Sequence, residues 1–213
     1  MSIAEISEVY DISPEISSHM AVFPGDRAFE RCVTLDLTRG DNLTLSEITT
    51  TVHIGAHTDA PNHYHRDGAG IETRALRYYL GPCQVASVKL PAGKRIVPAD
   101  VATVKINAKR VLFKTQSFPD PNRWNEDFNS LSADLVDALA SKGVILVGID
   151  TPSIDPADDK VLEAHQAVFR NNMAILEGIV LDQVPDGDYD LAALPLKIKN
   201  ADASPVRAVL WRN

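Results

Sequence analysis

From 143 to 149 the chain reads Gly-Val-Ile-Leu-Val-Gly-Ile, with no polar side chain. A strand with one wet face alternates apolar and polar residues, so a continuous run belongs to a strand covered on both faces. That requirement predicts a layered architecture with a sheet at its centre. Further strands are predicted over 43–53 (rich in β-branched residues), 84–90 (stopped by Pro91-Ala-Gly), 110–114, 174–181 and 206–211, about six in all. Helices are predicted over 132–141, with Ser132 as N-cap, over 160–171, where Leu162, His165 and Phe169 fall near one stripe, and over 70–80, ended by Gly81-Pro82. The pattern predicts a single α/β domain over 1–213, with a mixed sheet curled towards a barrel and flanking helices. Repeats, low-complexity tracts and long polar linkers are absent from the sequence.

Charge narrows the partners. Lys plus Arg number 21 against 29 Asp plus Glu, a formal charge of −8. Such a balance argues against nucleic acid or an anionic membrane and favours a small-molecule substrate. No stretch approaches the ~18 apolar residues of a membrane span, and residues 1–16 lack the basic and apolar regions of a secretory leader. Cys32 and Cys83 have no metal-finger spacing and read as packing residues in a reducing compartment. The expectation is a cytoplasmic enzyme or binding protein.

Its chemistry concentrates in one run, His53-Ile-Gly-Ala-His57-Thr-Asp59-Ala-Pro-Asn-His63-Tyr64, which holds three of the six histidines and a carboxylate. Imidazole and carboxylate suit Zn²⁺ and its first-row neighbours. A straight strand would put all four groups on one face but would set His53 and His57 ~13 Å apart, too far for two ligands with bonds of ~2.0–2.2 Å. A helix would turn Asp59 away and be cut short at Pro61. The remaining geometry is a strand that ends near His53 and bends at Gly55, with Pro61 fixing the exit.

Three ligands leave a site unfinished. His165 lies on a predicted helix; taken alone it reads as a satisfied core or surface histidine. Glu177 lies mid-strand on the face of Ile175 and Ile179, and reads equally as a solvent-facing edge carboxylate or as a ligand. Buried there without a partner it would cost several kcal/mol or take up a proton. Asp59 and Glu177 can each bridge, which allows a two-metal centre. His65 reads as a loop residue, His19 as a cleft residue or none, and Asp150 before Thr-Pro as a turn cap.

The run His53-x-Gly55-x-His57-x-Asp59-x-Pro61-x-His63 resembles the signature of the cyclase family of metal-dependent hydrolases, in its bacterial kynurenine formamidase (arylformamidase) branch. Phe23-Pro24-Gly25-Asp26 resembles the family's N-terminal Pro-Gly-Asp segment, and Gly148-Ile-Asp150-Thr-Pro-Ser-Ile-Asp-Pro156, Ile175-Leu-Glu177-Gly-Ile-Val-Leu-Asp182, Leu194-Pro-Leu-Lys197 and the segment 204–210 resemble its later segments, so the resemblance spans nearly the whole chain. Ala56, where many members have Thr, also suits this branch. The resemblance implies a swivelling β/β/α-like fold and a homodimer. It implies one divalent ion held by His53, His57 and Asp59, and a second by His165, with Asp59 and Glu177 shared; Zn²⁺ is expected, with Mn²⁺ or Co²⁺ as alternatives. His63 then corresponds to the acid/base residue rather than a ligand, as befits a proton shuttle. Two departures stand out: Phe23 replaces the usual Trp that walls the aryl ring, and Gln166 follows His165 where a second histidine is common.

The activity so implied is hydrolysis of N-formyl-L-kynurenine to L-kynurenine and formate, a step of tryptophan breakdown, by a metal-activated water attacking the formyl carbon. The alternatives are a cyclic amide or isatin-type hydrolase of the same family, and a non-catalytic metal-binding protein.

Overall fold

The apolar run does lie in the middle of a sheet covered on both sides. The computed structural model describes residues 8–212; the first seven residues of the segment read for a leader lie outside the described residues. In chain order come β1 (Glu8–Asp11), β2 (Glu30–Leu35), β3 (Leu45–Thr49), β4 (His57–Asp59), the one-turn helix α1 (Pro61–Tyr64) and β5 (Leu80–Ser87). Then follow β6 (Arg95–Ile96), β7 (Arg110–Lys114), β8 (Ser130–Leu131), α2 (Ala133–Ser141) and β9 (Leu146–Ile149). The chain continues with α3 (Glu163–Arg170), β10 (Ala174–Leu176), β11 (Gly187–Ala192), β12 (Ala203–Pro205) and β13 (Val209–Arg212).

Seven strands make one mixed sheet in the order β1-β13-β11-β5-β7-β9-β10. The half from β5 to β10 is parallel, and the half from β1 to β5 is antiparallel. Along β9, Val147 and Ile149 enter one core with Leu135, Val136, Leu139, Ala164 and Val168 of α2 and α3. Leu146 enters the opposite core with Tyr79, Leu112, Leu176 and Leu210. Alternate residues of one strand therefore serve two apolar layers, which is why the run has no polar member. Gly148 is needed for closeness: a Cβ there would meet Leu112 Cδ2 at 2.4 Å and Leu176 O at 3.1 Å.

The sheet curls but stays open, so the fold is a mixed α/β domain without a closed barrel. Past β10 it is continued only by a single bridge, His57 with Glu177, to the β4–β12 ribbon. Its far edge is approached through one hydrogen bond, from Val180 N–H to Ile12 O at 2.9 Å.

Several elements differ from expectation for local reasons. Segment 70–80 is no α-helix; it forms two 3₁₀ turns, Ile71–Thr73 and Leu76–Tyr78. Arg74 between them is extended, and its guanidinium donates to Met173 O at 2.8 Å. The strand expected over 43–53 shrinks to β3, which pairs only with β2 and lies exposed. The strand over 174–181 stops at Leu176, because Gly178 takes φ +63°. Ile175 and Ile179 consequently enter different cores rather than one face. Helix α3 begins at Glu163, after Leu162 at φ +56°. Ser132 does cap α2, accepting from Leu135 N–H at 3.1 Å. Cys83 packs in the core as expected, but Cys32 is exposed on β2. None of the described helices is long and apolar enough to cross a membrane.

Candidate metal centre

The backbone bends where the ligand run requires it. Gly55 takes φ +55°, and β4 then sets His57 and Asp59 inward, both buried. Pro61 occupies the first turn of α1, where its missing N–H costs nothing, and the turn brings His63 back beside Asp59. On the other side Gly178 follows Glu177. A Cβ at Gly178 would stand 2.1 Å from Gly55 O, so two glycines let the segments that carry His57 and Glu177 touch. His57 and Glu177 exchange backbone hydrogen bonds of 3.0 and 2.9 Å across that contact.

Five side chains converge there. His53 Nδ1 lies 3.0 Å from Asp59 Oδ1. His57 Nε2 lies 3.5 Å from Asp59 Oδ1 and 3.2 Å from Glu177 Oε2. His165 Nε2 lies 3.3 Å from Asp59 Oδ2 and 3.7 Å from Glu177 Oε1. Each carboxylate thus turns one oxygen to the His53–His57 side and the other to His165. Two sets of three ligand atoms, His53–His57–Asp59 and Asp59–His165–Glu177, are compact enough to hold a cation. Asp59 Oδ1 is buried and, for all its closeness to imidazoles, has no partner in hydrogen-bond geometry. A buried carboxylate oxygen with no donor is costly, and a hard cation satisfies it. The donor set of imidazoles and carboxylates fits a first-row divalent ion.

The far nitrogens are fixed too. His57 Nδ1–H donates to Gly55 O at 2.9 Å, leaving Nε2 for the centre. His165 Nδ1–H donates to Asp155 Oδ2 at 2.7 Å. Asp155 also accepts from the backbone N–H of Ala164 and His165 and, at 2.5 Å, from Arg95 Nη1. His53 Nε2–H donates to Asp202 Oδ2 at 3.0 Å. A carboxylate or carbonyl behind a ligating histidine sets its tautomer and orientation.

Charges follow these contacts. Burial disfavours protonated His53 and His165, but the neighbouring carboxylates outweigh it, raising them to about 9 and about 10. Burial would lift Asp59, yet the surrounding histidines hold it well below the usual carboxylate range. Burial likewise opposes ionised Asp155, but His165 and Arg95 bring it to about 2. His63 behaves differently: burial pushes it below the ordinary histidine value. Its side chain is 34% exposed, 3.9 Å from Asp59 Oδ2 and 3.8 Å from Asp202 Oδ2. It stands at the rim, outside both ligand sets just described. It does form a third, looser set with His53 and Asp202.

The centre opens into a cavity of about 390 Å³. Phe23 lines it and meets Trp124 edge to face, with centroids 4.8 Å apart. Trp124 packs in turn on Phe118 and Phe128. Asp150 also lines the cavity, but its carboxylate accepts from the N–H groups of Thr115 and Gln116 and from the Thr115 hydroxyl. It therefore caps the turn that follows β7, and not its own Thr151-Pro152 turn as the sequence suggests. Gln166 donates to Tyr64 O at 2.7 Å, tying α3 to the helix that carries His63. His65 stacks on Phe169, with centroids 3.6 Å apart. His19 lies exposed and outside the cavity lining.

All seven side chains singled out from the sequence, His53, His57, Asp59, His63, His165, Glu177 and Phe23, therefore meet around one cavity. Sequence reading missed Asp155, Asp202, Trp124 and Gly178. Asp155 sits in a segment already noted for its likeness to a family pattern; Asp202 and Trp124 stand in loops with no periodic or spacing signal.

Comparison with known proteins accords with this geometry. The model of a family described as putative cyclase matches residues 10–156. The kynurenine formamidase of Bordetella pertussis is 44% identical over 206 residues, 96% of this chain and 98% of that protein. A solved structure described as a potential metal-dependent hydrolase with cyclase activity superposes with a TM-score of 0.83 at 31% identity, covering 97% of this chain and 98% of that one. An isatin hydrolase from Labrenzia aggregata shares the fold, with a TM-score of 0.82 at 20% identity over 96% and 93% of the two chains.

Proposed function

Because the chain belongs to the putative cyclase family of the preceding comparison, we propose that it is an arylformamidase. It hydrolyses N-formyl-L-kynurenine to L-kynurenine and formate, a step of tryptophan breakdown, with 1–213 acting as one catalytic domain. The observation that carries this reading is the pair of carboxylates, Asp59 and Glu177, each facing both histidine sets with one oxygen apiece.

His53, His57 and Asp59 would hold one divalent ion; His165 would hold a second, with Asp59 and Glu177 shared. Zn²⁺ is the ion we expect from this donor set, and Mn²⁺ and Co²⁺ also suit it. Such ions, when bound, acidify water towards neutrality and polarise a carbonyl. The chain's own groups do the rest. His63 is the acid/base: its depressed pKa leaves it neutral near pH 7, able to take the proton of the attacking water. It then returns that proton to the departing aryl nitrogen, without which an anilide leaves poorly; such transfer contributes about 10²–10⁴-fold. Formate keeps the added oxygen and the amine keeps the proton, so the step balances. Phe23, backed by Trp124, offers an aromatic corner for the aryl ring.

The ribbon β2–β3 and its turn expose Leu37, Leu45 and Ile48. We expect a homodimer, with this exposed ribbon as its contact, which light scattering tests. The acidic balance and small cavity favour a cytoplasmic enzyme with a small-molecule substrate and neither nucleic acid nor membrane as partner. The decisive experiment is hydrolysis of N-formyl-L-kynurenine by purified protein with and without chelator, alongside metal analysis and a cyclic amide. Chelator-sensitive release of kynurenine is expected. Cleavage of the cyclic amide alone would move the assignment to the ring hydrolases, and bound metal without turnover would make this a binding protein.

A further inference from the structure

Carboxylates far outnumber Lys and Arg side chains in the cavity wall. Asp26, Asp59, Asp150, Asp159, Asp202 and Glu177 all line it, and Lys160 is the one Lys or Arg among the described lining residues. The other cation of that wall is already engaged. Arg95 donates to Asp155 at 2.5 Å and to Asp159. Asp159 additionally accepts from the backbone N–H groups of Val161 at 2.7 Å and Leu162 at 3.1 Å. These bonds fix the loop on which Lys160 stands, between Asp155 and the start of α3. Lys160 itself is exposed and forms neither ion pair nor hydrogen bond among the described residues. Its acidic neighbour Asp159 is spoken for by Arg95 and the loop backbone.

We propose that the Lys160 ammonium receives the carboxylate of the substrate's amino-acid side arm, which makes the cavity selective for N-formyl anilides that carry one. The inference rests on the formamidase reading and deepens it. Asp59 and Glu177 face His53, His57 and His165 and the ions these would hold, and Asp202 and Asp159 are paired with His53 and Arg95, so Lys160 is the cation left on the exposed wall for a ligand's carboxylate. A pre-held loop carrying that cation loses little freedom when the ligand arrives. The contact is solvent-exposed, so it contributes to selectivity modestly and weakens with salt.

The test compares two substrates: N-formyl-L-kynurenine, and N-formyl-2-aminoacetophenone, which keeps the formamide and aryl ketone but lacks the amino-acid tail. The quantity read is the ratio of their kcat/KM values. Lys160→Ala should lower that ratio about three- to fivefold, chiefly through KM for the carboxylate-bearing substrate. Lys160→Arg should restore it to within about twofold, and Lys160→Glu should lower it further. Raising ionic strength should lower the ratio in the native protein and leave it flat in Lys160→Ala. An unchanged ratio in Lys160→Ala, or equal losses on both substrates, would overturn the inference: the carboxylate would then be held elsewhere, or the loop would serve structure alone. Those outcomes differ from failure of the formamidase reading, in which the native protein would cleave neither substrate.

Discussion

Replacing Gly178 by alanine should damage the metal centre without touching a ligand. Two penalties arise. At φ +63° an L-residue pays about 1–2 kcal/mol for the left-handed conformation. The new Cβ would also stand 2.1 Å from Gly55 O, more than 1 Å inside the ~3.5 Å at which nonbonded atoms pack. Neither partner retreats freely. Gly178 N–H is bonded to Thr151 O at 2.8 Å, and Gly55 O accepts from His57 Nδ1 at 2.9 Å. Forced overpacking of this kind costs about 1–3 kcal/mol more, so the total is about 2–5 kcal/mol. That is a large share of a typical stability of about 5–15 kcal/mol.

Gly93 supplies the control. Its φ is +71°, but a Cβ there meets nothing within 4 Å, so Gly93→Ala pays the conformational strain alone. Urea unfolding of both variants in chelator reads the difference. Metal competition against a chromophoric chelator reads the consequence for the site, because pushing the two segments apart moves Glu177 away from His57. We expect Gly178→Ala to fall at least 1 kcal/mol below Gly93→Ala and to bind metal about 10–100-fold more weakly. Equal stabilities would show that the close approach is not limiting. Lost stability with undiminished metal affinity would break the link between the glycine pair and the ligand geometry.

Three other outcomes are expected. Asp155→Asn removes the charge behind His165 and one anchor of Arg95, and should weaken metal retention about 10–100-fold; retention equal to that of the native protein in plasma mass spectrometry would refute that positioning role. His63→Ala should keep its metal while turnover drops about 10²–10⁴-fold; parallel loss of metal and activity would make His63 a ligand. Without metal, the raised values of His53 and His165 mean that their stabilisation is complete below about 6.5, the unfolded-chain value, and is lost as pH climbs through about 9 and 10. The melting temperature of chelator-treated protein should therefore fall from pH 7 to pH 10, and a rise over that interval would contradict the ion-pair geometry.

How much of this was legible beforehand depended on the range of the interactions. The bend at Gly55 followed from chain reach once His53, His57 and Asp59 were taken to serve one ion, and the two-sided burial of β9 followed from its missing polar residues. Ser132 announced α2 through local hydrogen-bonding chemistry. Segment 70–80 misled because its helical spacing was overridden by Arg74, which straightens the chain to reach Met173 O. The strand through Glu177 was read too long because the left-handed Gly178 matters only against Gly55, more than a hundred residues away in sequence. Asp202 escaped notice for the same reason, since only the β4–β12 pairing brings it to His53.

The two ends of the centre are held in different ways, and the difference divides the labour between them. Asp59 and Glu177 are both 2% exposed, and ions so buried cost several kcal/mol each unless matched. Without metal, protonated His53 and His165 provide the match; a divalent cation held there would take over that role and displace their protons. Behind His165 stands Asp155, fully buried and clamped by Arg95 and two backbone N–H groups. Behind His53 stands Asp202, whose side chain is 50% exposed and reaches towards His63 as well. A rigid, dry carboxylate holds its imidazole in one pose, whereas a wet one leaves room for adjustment and for proton exchange with solvent. The His165 end is therefore built to anchor. The His53 end, where His63 and Asp202 meet at the rim, is where substrate and protons can come and go.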